Sequence, residues 1–359
     1  MEMNQISQIR LINQKIENTS FQSPKEIVKW MGAMQAQDFG MARMAVGCRL
    51  NSVKEKNVTE AYNCGEIIRT HVLRPTWHLV SPEDIGWMLD LTSKRIKSSM
   101  KSRNRDLELT PAVFNKSNHL LEKLLANNNF LTRDELFTEY DKIKIKTDEN
   151  RLSHLLMEAE LDQLICSGPL KNNKPSYALL TERVSHIKRL SKDESLAKLA
   201  KRYFTSRGPA TLMDFVWWSG LSVAEARQAL EFVKKYLISD TVGAEEYWFS
   251  NIAPEKIFRQ NSIHLLPAFD EFLIAYRDRS ASINQQDNPK AISNNGIFWP
   301  ILVINGKVAG SWKRTIKKER LLVEIKSFSK IQNVQKPGIE KEAHKLGNFL
   351  EKEVELLYN

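Results

Sequence analysis

Apolar residues return at helical spacing in several separate stretches of the chain, and each stretch is followed by short extended segments. The clearest case starts at Thr132, which stands where an N-cap is expected, with Glu135 at the capping-box position of a helix over residues 133–140. A polar stretch, residues 146–149, follows. Leu152, Leu155, Leu156, Ala159 and Leu161 then mark one face of a second helix. Residues 163–168 and 176–180 read as two strands around a polar tip at 171–174. The order helix, turn, helix, hairpin is that of a winged helix.

The same plan returns further on. Residues 196–204 predict a lead helix, and Arg207-Gly208-Pro209 breaks the chain. A helix over 211–218 follows, with Gly220 in the turn and Ser222 capping a third helix over 223–233. Strands near 237–239 and 247–249 flank Gly243.

The two ends of the chain differ from this middle. Residues 6–16 carry helical spacing. An apolar run at 27–34 predicts a helix that ends in Gln35-Ala36-Gln37, and 41–50 predicts another. Residues 66–73 and 76–80 are two extended segments joined at Pro75. Ser81-Pro82-Glu83-Asp84 predicts a helix start with proline at the first helical position. Beyond residue 260, strands are expected at 263–267, 298–304, 307–312 and 321–328. Asn305-Gly306 favours a type I′ hairpin turn. The polar stretch 280–296 is expected to be a mobile loop, and 338–357 a closing amphipathic helix.

Composition then narrows the function. With 359 residues the chain suits two or three modules. Lys and Arg number 53 against 43 Asp and Glu, a formal charge of +10, which favours an anionic partner such as nucleic acid. Cys48, Cys64 and Cys166 are far apart and form no CxxC pair, so they give no zinc or redox motif and suit a reducing cytoplasm. The first residues lack a signal-peptide pattern, and no apolar run approaches the roughly 18 residues of a membrane span.

Lys94, Arg95, Lys97, Lys101, Arg103 and Arg105 fall within a dozen residues, with no acid until Asp106. Ordinary exposed helices mix signs, so phosphate contact is favoured here over a merely solvated face.

Gln35 and Gln37 are neutral amides two positions apart. An amide is no base, so any chemistry there must come from orientation and polarisation. Asp38 next to them is chemically the better base, but at the edge of a helical run it reads as a cap.

In Gln35-Ala36-Gln37 the chain resembles the catalytic Gln-x-Gln motif of winged-helix DNA glycosylases of the AlkZ/YcaQ type. The segment from Arg69 to Val80, the segments Leu265-Leu266-Pro267-Ala268-Phe269-Asp270-Glu271-Phe272 and Tyr276-Arg277-Asp278-Arg279, and the strand Gly310-Ser311-Trp312-Lys313-Arg314 resemble further motifs of that family, in the same order. One branch of the family carries Gln-x-Asp instead; this chain sides with Gln-x-Gln.

The resemblance implies an α+β fold of three tandem winged-helix (helix-turn-helix) modules with a small C-terminal antiparallel β subdomain. The spans expected are 1–125, 126–190, 191–260 and 261–359. It implies hydrolysis of the N-glycosidic bond of N7-alkylguanine in double-stranded DNA, including bulky adducts and interstrand crosslinks, by a cytoplasmic, nucleoid-associated monomer with no metal and no cofactor. Gln35 and Gln37 would orient the water. Arg69, His71, Arg74, His78, the basic run, Lys313 and Arg314 would contact DNA, and Asp270 and Arg277 would form a structural ion pair or a scaffold for the site rather than act as catalysts. A non-catalytic winged-helix DNA-binding protein or regulator is the alternative.

Overall fold

A computed structural model describes residues 1–250 and 261–358, so residues 251–260, the end of the third expected module, lie outside the described part. In chain order the first elements are α1 (Met3–Asn13), α2 (Pro24–Met31), β1 (Ala33–Gln35), α3 (Phe39–Gly47), α4 (Glu55–Asn63), β2 (Ile68–His71), β3 (Trp77–Val80) and α5 (Ile85–Asp106). Next come α6 (Pro111–Leu125), β4 (Leu131–Thr132), α7 (Arg133–Lys142), α8 (Arg151–Leu161), β5 (Ile165–Ser167), β6 (Ser176–Leu179), α9 (Leu180–Arg183) and α10 (Lys192–Arg207). The remainder is α11 (Leu212–Ser219), α12 (Val223–Val233), β7 (Leu237–Val242), β8 (Glu245–Ser250), β9 (Ile263–Leu266), α13 (Glu271–Ile274), α14 (Asn288–Ala291), β10 (Ile301–Ile304), β11 (Lys307–Lys317), β12 (Arg320–Ser327), α15 (Lys336–Leu350) and β13 (Glu353–Tyr358).

The chain forms two compact units. One is continuous, Glu60–Ser195; the other joins Met1–Thr59 to Leu196–Asn359. The expected spans 1–125 and 191–260 therefore each fall partly in one unit and partly in the other. The first 59 residues belong with the last 164 because α1 is bonded to distant backbone: Arg10 Nε donates to Pro209 O at 2.9 Å, and Asn13 Nδ2 to Gly208 O at 2.7 Å.

In the continuous unit, α7 and α8 are followed by the hairpin β5–β6, and β4 joins that hairpin to give the sheet order β4-β6-β5. The capping box at Thr132 and Glu135 forms as expected. One core holds the elements together: Leu121, Leu125, Leu136, Tyr140, Leu155 and Ala159 are fully buried in it. The extended segments around Pro75 pair as the hairpin β2–β3, with Arg69 opposite Leu79 and His71 opposite Trp77.

The discontinuous unit contains the second helix-turn-helix and hairpin, α11, α12, β7 and β8. Thr211 and Ser222 cap its two helices through capping boxes, and Gly220 closes α11 in the left-handed conformation. A five-stranded sheet of order β13-β12-β11-β10-β9 follows. Asn305 and Gly306 have φ of 51° and 79°, as a type I′ turn demands. Leu11 and Ile16 pack with Leu266, Phe272, Ile301 and Val303 beneath this sheet.

Four local expectations change. The run at 27–34 stops being helical at Met31, because Gly32 turns the chain at φ 74°, and Gln35 ends a strand rather than a helix. Residues 82–84 form a turn, and the helix starts at Ile85. Residues 280–296 are structured: they include α14, and Ala281, Ser282, Ile283 and Ala291 are buried. The closing helix ends at Leu350, where Glu351 adopts a left-handed conformation, and the chain returns as β13, parallel to β12. The pairs β9–β10, β10–β11 and β11–β12 of that sheet are antiparallel.

Candidate functional site

Gln35 is the last residue of β1 and is 5% exposed. Gln37, two residues on, is exposed, and Asp38 beside it is the N-cap of α3, its Oδ1 accepting the Met41 N–H at 3.0 Å. The two amides thus occupy different settings, one inside and one at the surface, while the carboxylate is engaged in capping.

A three-residue strand after a glycine turn has little intrinsic stability, and here a buried ion pair grips it. Glu271, the first residue of α13, accepts the Gln35 N–H on Oε1 at 2.8 Å. Its other oxygen, Oε2, accepts Arg207 Nε at 2.8 Å, Arg207 Nη2 at 2.6 Å and Trp218 Nε1 at 3.1 Å. Arg207 in turn donates to Met31 O at 2.6 Å and to Ala33 O at 2.5 Å, and its guanidinium carbon lies 4.4 Å from the Trp218 ring centre. Arg207 and Glu271 are 0% and 2% exposed.

A second buried pair stands next to it. Arg49 meets Asp270 in a two-point contact, and Asp270 also caps α13 by accepting the Phe272 N–H at 2.9 Å. Gln14 links the pairs: its Oε1 accepts from Arg49 Nη2, and its Nε2 donates to the Tyr276 hydroxyl, which donates to Arg207 O. The expected partner Arg277 is elsewhere; its backbone N–H goes to Asp214. Asp270 prefers Arg49 because the Arg49 fork reaches both carboxylate oxygens at once.

Arg314 on β11 extends to the N-terminal end of α3, where a Cβ added to Gly40 would stand 3.5 Å from its Nη2. Burial lowers its pKa from the usual arginine value, partly opposed by Glu55 and Asp38. Lys313 is exposed and faces Glu324 at 3.1 Å. Trp218 and Trp248 are buried, as core packing requires, while Trp217 is 40% exposed and donates its Nε1 to Ile274 O.

The other expected site residues lie in the continuous unit. Arg69 sits over the Trp77 ring at 4.2 Å, and the His71 ring lies 4.4 Å from the same ring. The N–H and Nδ1 of His71 are both bonded to Glu160, which is 1% exposed. His78 is 0% exposed, with Nδ1 2.9 Å from Thr76 O. Neither imidazole therefore presents a surface to a phosphate, contrary to expectation: they brace the hairpin that carries Arg69 and Arg74.

The basic run lies on α5. Lys94, Arg95, Lys101, Arg103 and Arg105 are exposed there. Lys97 differs. Its ammonium contacts Glu158 at 2.9 Å and also Asp162. Burial disfavours its charge, but those two carboxylates outweigh the effect and raise its pKa. Lys97 is a tie between α5 and α8.

No sequence signal connected Glu271 or Arg207 to the glutamines. Glu271 lies within the family-like stretch at 265–272 and Arg207 before a chain break, but only the fold brings them to Gln35. Among the described residues, no three His, Cys, Asp or Glu side chains cluster so as to hold a metal ion, and no helix is long and apolar enough to cross a membrane.

Residues 28–349 match the family described as DNA glycosylase AlkZ-like. The chain is 24% identical over 348 residues to an interstrand DNA cross-link repair glycosylase of Streptomyces sahachiroi, covering 93% of this chain and 92% of that protein. The solved structure of the Streptomyces sahachiroi DNA glycosylase AlkZ superposes with a TM-score of 0.82 at 21% identity, over 99% of this chain and 100% of that one. That likeness establishes a shared mixed α+β fold.

Proposed function

Since this chain belongs to the DNA glycosylase AlkZ-like family, we propose that it hydrolyses the N-glycosidic bond of N7-alkylated guanine in double-stranded DNA, with Gln35 and Gln37 orienting the attacking water. Three winged-helix modules would form the scaffold. The observation that carries this reading is the pinned strand: the backbone of Gln35 is held by a buried ion pair, immediately before an exposed second glutamine. A surface loop with two solvated amides would not be built this way.

The chemistry suits the residues. N7-alkylation leaves guanine cationic, so the leaving group needs little help from an acid. What the protein must supply is a water in line with C1′ and a polar setting for an oxocarbenium-like sugar. Amide oxygens can accept both hydrogens of one water, which is catalysis by positioning, and their dipoles favour positive charge developing on the sugar. A neutral base would leave poorly under this arrangement.

Crosslinked and bulky adducts belong in the proposed substrate range, because the Streptomyces relative is named for crosslink repair. Arg69, Arg74, Lys94, Arg95, Lys101, Arg103, Arg105, Lys313 and Arg314 are the proposed backbone contacts, since each supplies a cation to phosphate.

One assay tests the reading: release of N7-methylguanine from methylated duplex DNA in a single turnover, by the wild type, Gln35→Ala and Gln37→Ala. Release by the wild type and its loss in both variants is expected. Wild-type rates in the variants would sink the water-orienting role.

A further inference from the structure

We propose that Glu271 is the positioning residue of the glutamine motif: its buried carboxylate, set by Arg207 and Trp218, fixes the backbone of Gln35 and so the direction in which that amide points. The inference rests on the reading of Gln35 and Gln37 as the water-orienting pair.

The two oxygens of Glu271 divide their labour. Three donors, two from Arg207 and one from Trp218, converge on Oε2, while Oε1 takes the Gln35 N–H. A carboxylate with one oxygen so fully engaged cannot rotate, and the position of Oε1 is set by it. Arg207 meanwhile holds Met31 O and Ala33 O. Three polar backbone groups within residues 31–35 are therefore satisfied by one ion pair.

Stability alone does not explain such a pair. Desolvating two charges is costly, and replacing a buried pair by well-packed apolar side chains is often neutral or stabilising. Here both ions spend hydrogen bonds on the strand ahead of the motif as well as on each other. The carboxylate is itself placed from behind, because Glu271 opens α13, whose cap Asp270 is clamped by Arg49. Positional accuracy runs from Arg49 through Asp270 and Glu271 to Gln35. Catalysis by positioning is sensitive to such accuracy: a displacement of about 1 Å can lower a rate by about 100-fold.

Single-turnover release of N7-methylguanine from methylated duplex is the test, with affinity for undamaged duplex measured beside it. Glu271→Gln brings an NH2 into a position ringed by donors, so one side of the arrangement must break. The expected result is a rate lowered by about 100-fold at unchanged duplex affinity. In the double variant Gln35→Ala/Glu271→Gln the loss should be no greater than in Gln35→Ala alone, because both act through one amide. A folded Glu271→Gln protein with the wild-type rate overturns the inference. So does a double variant whose losses multiply, the mark of a general structural defect.

If circular dichroism shows that Glu271→Gln does not fold, Trp218→Phe takes its place. That change removes one donor from Oε2 and keeps the ion pair. A smaller loss of rate, again absent on top of Gln35→Ala, supports the inference; a wild-type rate or a multiplying loss overturns it. Wild-type rates in Gln35→Ala and Gln37→Ala would remove the premise as well, whereas slow glutamine variants beside a normal Glu271→Gln remove only the positioning role of Glu271.

Discussion

Arg49 and Asp270 face each other through two hydrogen bonds of 2.8 Å, and neither side chain is more than 1% exposed. Leaving one buried charge without its partner is among the most costly single changes a protein can suffer. Asp270→Asn should therefore lower unfolding free energy by about 3–5 kcal/mol, read from urea denaturation. A melting curve like that of the wild type would show that the pair is solvated or relaxed in solution.

Asp38 offers a clean separation of capping from catalysis. Its Oδ1 accepts the Met41 N–H at the start of α3. Asp38→Ser keeps a capping oxygen and should leave base release near the wild-type rate. Asp38→Ala should cost roughly 1 kcal/mol of stability. If Asp38→Ser abolished release while folding normally, Asp38 would be a base that activates the water, and orientation by the glutamines would not suffice.

The basic helix predicts how DNA binding responds to salt. Removing one phosphate-binding cation reduces the slope of log affinity against log salt by about 1. Replacing Lys101, Arg103 and Arg105 together by Gln should weaken binding to undamaged duplex and flatten that slope. Lys97→Gln should do neither, since its ammonium is held by Glu158 and Asp162. Equal effects from the two replacements would contradict the assignment of Lys97 to an internal tie.

Much of this fold was legible because its signals are local. The capping box at Thr132, the cap at Ser222 and the Asn305-Gly306 turn each act within a few residues, and all form as read. The misreadings share the opposite cause. β1 is too short to show a period, and β13 owes its existence to a neighbour, β12, that its own pattern cannot specify. His71 and His78 were expected to contact DNA, but burial depends on what packs over a side chain, and both are buried. The candidate site divides the same way. Gln35 and Gln37 stood out in the sequence, but the Glu271 carboxylate on the Gln35 N–H is 236 positions away and no local pattern announces it.

Thiol chemistry should separate the three cysteines. Cys64 is exposed, Cys48 is half-buried and Cys166 is buried. Burial pushes the Cys48 thiol up to about 11 and raises that of Cys166 too. A disulfide reagent at pH 8 should modify one thiol quickly, Cys64, and Cys64→Ser should remove that fast phase. Raising the pH toward 11 should bring in Cys48. The same shift sets a sign for stability. The folded thiol ionises at higher pH than the unfolded one, so its contribution is complete below the ordinary thiol range and falls as pH rises from there to about 11. A second fast thiol at pH 8 would contradict the shielding of Cys48.

The discontinuous unit has a consequence for the order in which the protein can be made. Ribosomes deliver residues 1–59 first, then the whole of the continuous unit, and only afterwards the segment that completes the first piece. Closing so long a loop is entropically slow. The glutamine motif is thus synthesised well before its partners, and its strand finds Arg207 and Glu271 only when translation has passed residue 271. A chain cut short of residue 271 would carry the motif without the contacts proposed to aim it, so competence for base excision would arrive only once Glu271 is in place.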